Sequence, residues 1–252
     1  MAPRDLPYAD APFIVFSDFD GTITTRDSND CATDELGFGL EKRRELNVEI
    51  LNGTKTFRDA FREMLDSVCA NGHSFESVVE YLRKEIKLDP GFKTFFEYCK
   101  SAKIPVVIVS SGMVPIIRAI LENLIGTSDA SQISIIANDV EHLEDGKWTI
   151  KYLHPESGFG HDKSRATAPY RGLEHQPTLF FCGDGVSDLS AARAADLLFV
   201  KVIEGHTNDL QVHCDRESIP YVPFSQFEQV GQVVKSVVEK KQTVQEHLDA
   251  KK

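Results

Sequence analysis

No stretch of this chain approaches the roughly 18 consecutive apolar residues that cross a bilayer, so the sequence predicts no membrane span. Basic charge is in deficit as well. The 28 Lys and Arg stand against 39 Asp and Glu, a formal net charge of -11. That balance argues against a nucleic-acid partner and against a polybasic contact with a membrane surface. It leaves an anionic substrate open, because a bound divalent cation reverses the local sign of a site. Cysteine is scarce: Cys31, Cys69, Cys99, Cys182 and Cys214 are odd in number and widely spaced, with no Cys-x-x-Cys. They read as reduced thiols of an intracellular protein. Residues 1–12 are polar and broken by proline, with no signal-like apolar region. The expected address is the cytoplasm, with a nuclear pool open, and the sequon at Asn52 then has no use. Internal repeats and low-complexity tracts are also missing.

What is present suits a folded core. The 252 residues are 41% hydrophobic and 27% charged, enough for one large domain or a core carrying an insert. Short apolar runs end abruptly in polar and glycine residues. Phe13-Ile14-Val15-Phe16 leads into Ser17-Asp18-Phe19-Asp20-Gly21, and Val106-Val107-Ile108-Val109 into Ser110-Ser111-Gly112. Leu179-Phe180-Phe181-Cys182 leads into Gly183-Asp184-Gly185, and Leu197-Leu198-Phe199-Val200 forms a fourth such run. Runs of this kind read as buried parallel strands. Ile116, Ile117, Ile120, Leu121 and Leu124 recur with helical period after Pro115. Strands alternating with helices predict a doubly wound α/β sheet, with its polar strand ends along one ligand-binding edge.

Residues 27–88 differ. Phe57, Phe61, Met64, Leu65 and Val68 mark one amphipathic helix, and Phe75, Val78, Val79, Leu82 and Ile86 another, without a strand pattern. The expected organisation is a core of 10–26 and 89–240, a helical cap of 27–88, and a charged tail of 241–252 that forms a frayed helix end. Asp145-Gly146 between two β-prone runs predicts a hairpin.

The strand ends carry the chemistry. In an extended chain Asp18 and Asp20 point to the same side, and two carboxylates that close repel unless a cation binds or one is protonated. One can attack phosphorus while the other serves as acid and then base. The plain alternative is two solvated aspartates. Gly183-Asp184-Gly185-Val186-Ser187-Asp188 adds carboxylates on a tightly turning loop, which suits magnesium or is merely an acidic turn. Ser110-Ser111-Gly112 suits a phosphate cradle or a helix N-cap. Lys163, in His161-Asp162-Lys163-Ser164, could neutralise phosphate and steady Asp18, or be a solvated surface lysine.

In combination, Asp18-Phe19-Asp20-Gly21-Thr22, Ser110-Ser111-Gly112, Lys163 and Gly183-Asp184-Gly185-Val186-Ser187-Asp188 resemble the haloacid dehalogenase superfamily of phosphatases. The resemblance spans about Phe13 to Val200, with the helical insert at the family's first cap position. It is greatest to the phosphoserine-phosphatase-like branch and its fungal sugar- or polyol-phosphate phosphatases. It implies a Rossmann-like core and a Mg2+ cofactor. Asp18 would be the nucleophile and a metal ligand, Asp20 the general acid/base and a ligand through its carbonyl, and Asp184 a further ligand supported by Asp188. Ser110 and Lys163 would hold the phosphoryl group, assisted by backbone amides near Phe19 and Ser111. Gly112 and Ser187 complete the phosphate-binding set.

Departures from the pattern bear on the substrate. Relatives that cleave phosphoserine carry an arginine where this chain has Met64, and an early acidic cap residue to which Asp27 could correspond. Ser187 stands where asparagine is frequent, and its hydroxyl can still bond a phosphate oxygen. Asp27, Asn29 and Asp30 are candidates to read the leaving group or, equally, to cap a helix. Arg58, Arg62 and His161 are further candidates, His161 with the alternative of an idle loop residue. The expected reaction is magnesium-dependent hydrolysis of a small phosphate ester, a sugar or polyol phosphate, by a monomer or homodimer. Phosphoserine and phosphocholine-like amines are the alternative substrates. A phosphotransferase, a mutase and a catalytically silent binding protein are the rival classes.

Overall fold

The computed structural model describes residues 6–205 and 208–250. Expectations for residues 1–5 and for 251–252 of the charged tail lie outside the described residues. The strands are β1 Phe13–Ser17, β2 Val106–Met113, β3 Ser134–His142, β4 Trp148–Lys151, β5 Thr178–Gly183, β6 Leu197–Lys201 and β7 Val222–Phe224, and the four continuous apolar runs fall in β1, β2, β5 and β6. They form a seven-stranded sheet in the order β4-β3-β2-β1-β5-β6-β7. β1 pairs in parallel with β2 and β5, β5 with β6, and β6 with β7, whereas β3 and β4 are antiparallel. The fold is therefore α/β with a mostly parallel sheet. Strands β1, β2, β5 and β6 are buried at nearly every position, which is why their sequences are unbroken apolar runs rather than alternating ones.

The helices that follow β1 and β2 are α1 Ser28–Leu36, α2 Leu40–Leu51, α3 Phe57–Ala70, α4 Phe75–Glu85, α5 Phe92–Ser101 and α6 Val114–Ile125. The chain divides into two compact units. One runs through Ile23 and takes in Leu88–Val109 and the chain from Lys163 onward; the other is Thr24–Lys87 with Ser110–Asp162.

In the first unit α5 packs against the helix Phe227–Val238 through phenylalanines. The Phe227 ring lies 5.1 Å from Phe92 and 5.3 Å from Phe95, centroid to centroid. In the second unit Thr56 caps α3 by accepting the Asp59 N–H, and Ser74 caps α4 by accepting that of Ser77. The buried stripe Ala60, Phe61, Met64, Leu65 and Val68 follows helical period along α3. Burying one such large side chain contributes about 1.5–3 kcal/mol. Trp148 of β4 is buried, donates from Nε1 to the His73 carbonyl at 3.0 Å, and meets Phe75 edge-on at 5.4 Å. The β3–β4 connection turns at Glu144–Gly146, where Asp145 has φ 60° and Gly146 φ 73°, so the Asp-Gly pair predicted as a turn is one.

The charged tail differs from its expectation. The helix Phe227–Val238 closes at Glu239, and a separate helix, Val244–Asp249, starts on a capping box of Thr243 and Glu246. Among the described residues no helix is long and apolar enough to cross a membrane.

Candidate active site

Parallel register brings the chemistry together. Ser17, the last residue of β1, pairs with Ile108 on β2 and Cys182 on β5. Asp18 follows at once, and its N–H donates to the Cys182 carbonyl at 2.8 Å. The strand then stops and the chain turns at Asp20-Gly21, so Asp20 does not extend β1 beside Asp18. Carboxylates that cluster with Asp18 come from the loop after β5: oxygens of Asp18, Asp184 and Asp188 all lie within 4.8 Å of one another. Asp20 is buried close in sequence but belongs to the turn.

Lys163 is no surface lysine. Its side chain is fully buried, with Nζ 2.9 Å from Asp18 Oδ1 and 2.7 Å from Asp188 Oδ1. Asp18 Oδ1 also accepts the Phe19 N–H at 2.7 Å. Asp188 Oδ2 accepts the amides of Asp184 and Gly185 at 3.0 and 3.1 Å, so this carboxylate ties the loop after β5 to the lysine. A Cβ at Gly183 would stand 2.5 Å from Asp188 Oδ2, which is why that position has no side chain. Gly21, at φ +74°, is restricted doubly: the left-handed backbone disfavours other residues, and a Cβ there would stand 2.5 Å from Asp184 Oδ2.

Burial pushes the Asp18 carboxyl well above the ordinary aspartate range, the charges of Asp188 and Asp184 add to it, and Lys163 offsets them only in part. For Lys163, burial pulls the pKa down, but the charges of Asp18 and Asp188 outweigh it and hold the ammonium above the ordinary lysine range. This is a donor set of hard, charged oxygens under mutual repulsion, which a divalent cation would relieve.

Ser110-Ser111-Gly112 belongs to the end of β2 and does not cap α6. The N-cap of α6 is Met113, without a side-chain cap bond, and Pro115 sits in the first turn. Ser110 Oγ accepts the Gly112 N–H at 3.0 Å. Ser111 Oγ is buried and makes no hydrogen bond among the described residues, while the Ser111 carbonyl accepts from Asn138 Nδ2 at 2.7 Å. Ser187 is half-buried in the 3₁₀ turn Val186–Asp188.

The second unit holds the remaining candidates. Asp27, not Asp30, caps α1, accepting the amides of Asn29 and Asp30 at 2.7 and 2.9 Å. Asp30 pairs at 2.7 Å with Arg43, whose other nitrogens form a fork on Asp34. Burial raises the pKa of Asp27, although its two amide bonds and Arg43 oppose the shift. Asn29 is buried on α1. Arg58 is engaged by the Pro155 carbonyl at 2.7 Å and by Asp59 at 2.9 Å. Arg62 is exposed, its guanidinium 5.1 Å from the Tyr152 ring centroid. His161 lies in the loop before Lys163, fully buried and stacked on His154 at 5.3 Å. Met64, the position the resemblance compares with an arginine, is 4% exposed and part of the helical core.

Sequence reading placed Thr22 in the first motif without a role, and here it donates to Asp184 Oδ1 at 2.7 Å; it passed over Lys201, which donates to the Thr22 carbonyl at 3.3 Å. It also passed over Asp89, Asn138 and Arg43. Only Lys201 left a signal, as a charge closing a buried apolar strand in the manner of Asp18.

The profile of the haloacid dehalogenase-like hydrolases matches residues 15–193. The chain is 48% identical over 215 residues to Pdp3-interacting factor 1 of Schizosaccharomyces pombe, covering 84% of this chain and 90% of that one. It is 42% identical over 245 residues to polyol phosphate phosphatase PYP1 of Saccharomyces cerevisiae, covering 94% and 98%. Among solved structures, a phosphoserine phosphatase with a phospho-aspartyl intermediate analogue superposes with a TM-score of 0.60, covering 90% of this chain and 98% of its own. At 17% identity that likeness is one of fold. A profile match that takes in both the Asp18 strand end and the Gly183–Asp188 loop, joined to relatives aligned along most of the chain, makes this protein a member of the haloacid dehalogenase-like hydrolases.

Proposed function

We propose that this protein hydrolyses a small phosphate monoester, a sugar or polyol phosphate, through a covalent phosphate on Asp18 and with Mg2+ as cofactor. The observation that carries the reading is the buried lysine between two aspartates. Lys163 and the Phe19 amide both hold Asp18 Oδ1, which leaves Oδ2 as the oxygen to attack phosphorus. Asp18 forms the new oxygen–phosphorus bond as the ester bond breaks. Asp20 delivers a proton to the departing alkoxide, then removes one from the water that releases phosphate. Lys163, Ser110, the Ser111 and Gly112 segment and Ser187 hold the phosphoryl oxygens. The buried Ser111 hydroxyl, without a hydrogen-bond partner among the described residues, supports that role, since such groups normally have one. Magnesium, held by the Asp18 and Asp184 carboxylates and the Asp20 carbonyl with Asp188 behind them, would neutralise charge on the transferring group.

Two observations support the substrate class. The Saccharomyces cerevisiae relative is by name a polyol phosphate phosphatase. The burial of Met64 leaves the arginine position of phosphoserine-cleaving relatives inside a helical core, without charge for a substrate carboxylate. We assign 27–88 as the cap that selects substrate, with Asp27 and Asn29 as its polar readers. Asp30, Arg58, Arg62 and His161 are further candidates to contact the leaving group. The protein acts in the cytoplasm.

The test is phosphate release from a panel of sugar, polyol, phosphoserine and phosphocholine esters, with magnesium and with chelator, and with Asp18→Asn as control. Polyol or sugar phosphates turning over best, only with magnesium and only in the parent, is the expected result. Turnover of phosphoserine alone would remove the substrate class, and activity in Asp18→Asn would remove the nucleophile.

A further inference from the structure

A second buried ion pair lies in the first unit, outside the carboxylate cluster. Lys201, the last residue of β6, is 5% exposed, and Asp89, just before α5, is 1% exposed. Lys201 Nζ donates to Asp89 Oδ2 and, at 3.3 Å, to the Thr22 carbonyl. The rings of Phe224 and Phe227 stand 5.2 and 5.9 Å from the ammonium, within cation–π range. Asp89 is itself held tightly, its Oδ1 accepting the amides of Gly91 at 3.0 Å and Phe227 at 2.9 Å. Its own N–H donates to the Ile23 carbonyl at 2.8 Å. Two consecutive carbonyls of one turn, Thr22 and Ile23, are thus gripped by the two partners of one ion pair.

That turn is the one on which Asp184 rests. Thr22 Oγ1 donates to Asp184 Oδ1 at 2.7 Å, and the left-handed Gly21 leaves no room for a Cβ against Asp184 Oδ2. Within the first unit the pair thus holds the segment that ends at Ile23 to the one that begins at Leu88. Stability alone is a weak reason to bury such a pair, because apolar replacements of both partners are frequently neutral or stabilising. A donor aimed at one particular carbonyl is a different matter, since no apolar residue supplies it.

We propose that Lys201 is a positioning residue for the reaction: held by Asp89, its ammonium fixes the Thr22 carbonyl and, through the Thr22 hydroxyl, the carboxylate of Asp184. The proposal rests on the reading that Asp184 is a magnesium ligand. It makes Asp89 the counter-ion and Lys201 the group that sets ligand geometry.

The experiment compares the parent with Lys201→Met/Asp89→Asn and with Asp89→Asn, all as full chains. Thermal melts, magnesium affinity by titration calorimetry, and kcat and KM on para-nitrophenyl phosphate are the readouts. The double variant removes both charges and keeps a side-chain oxygen at position 89 for the Gly91 and Phe227 amides, so its melting temperature stays near the parent's. Its magnesium affinity falls about tenfold or more, the scale of one charge-assisted hydrogen bond, and kcat falls with little change in KM. Asp89→Asn alone turns an amide NH2 toward the buried ammonium in place of its counter-ion, so it loses both stability and magnesium affinity. Parental magnesium affinity in the double variant, or an affinity that simply tracks stability across both variants, overturns the proposal. Should the double variant fail to fold, Asp89→Asn decides alone, and parental magnesium affinity there overturns the proposal. A parent that binds no magnesium defeats the metal reading itself, and this proposal with it.

Discussion

Thr22 Oγ1 donates a 2.7 Å hydrogen bond to Asp184 Oδ1, tying the turn after β1 to the loop after β5. The two loops carry Asp18 and Asp184, so their relative placement sets the separation of the carboxylates. Thr22→Val keeps the shape of the side chain and removes the donor. Stability is expected to stay within about 1.5 kcal/mol, because the half-buried Asp184 can take water instead. Turnover at low magnesium is expected to fall about tenfold, with partial recovery at high magnesium. A magnesium titration of initial rates checks this, and an unchanged half-saturation would count against Thr22 as a support of Asp184.

Gly21→Ala tests the same turn from its backbone. The left-handed φ costs about 1–2 kcal/mol for a residue with a Cβ, and that Cβ meets the Asp184 carboxylate. A lowered melting temperature together with loss of magnesium-dependent turnover is expected. Retention of full activity would mean that Asp184 can move without consequence.

Asp18→Asn separates chemistry from folding. Asn cannot form the acyl phosphate, so turnover should drop by about a thousandfold or more. Stability should hold or rise, since the substitution removes one of three crowded carboxylates and Lys163 keeps Asp188. Phosphate release and a thermal melt on the same preparation give both answers.

Lys163→Met should be far more damaging to the fold. It leaves Asp18 and the fully buried Asp188 without their shared cation, and breaking a buried pair on one side costs about 3–5 kcal/mol. Chemical denaturation measures the loss. A change below about 1 kcal/mol, the value of an exposed pair, would contradict the buried placement.

Asp27→Asn gives a pH-dependent outcome. Burial raises the folded-state pKa of Asp27, so its contribution to stability is present below the unfolded pKa and is lost as pH rises through the folded one. Asn still accepts the Asn29 and Asp30 amides and carries no charge to desolvate. The variant is expected to melt above the parent at neutral pH, with the two converging near about pH 4. Melts across that range check it; a variant less stable at neutral pH would show that the ionised cap and its attraction to Arg43 dominate.

The fold was largely legible because its cues are local. The runs ending at Phe16, Val109, Cys182 and Val200 are apolar on both faces and end in polar or glycine residues, and every one is a strand of the sheet. Thr56 and Ser74 cap the helices whose apolar stripes they precede. The β7 strand and the 227–238 helix passed unnoticed, the strand because Val222–Phe224 is too short to show a pattern.

For the candidate site, the sequence determined by itself which residue types stand at the strand ends: Asp18, Ser110 and Asp184 follow from a parallel sheet whose apolar segments stop where they do. Tertiary structure decided their partners. Lys163 lies 145 positions after Asp18, and Lys201 lies 112 after Asp89, yet each is a buried pair. A lysine looks the same in sequence whether solvated or enclosed. Only close packing reveals the difference, because the cost of removing a charge from water depends on which opposite charges and carbonyls the fold brings within reach.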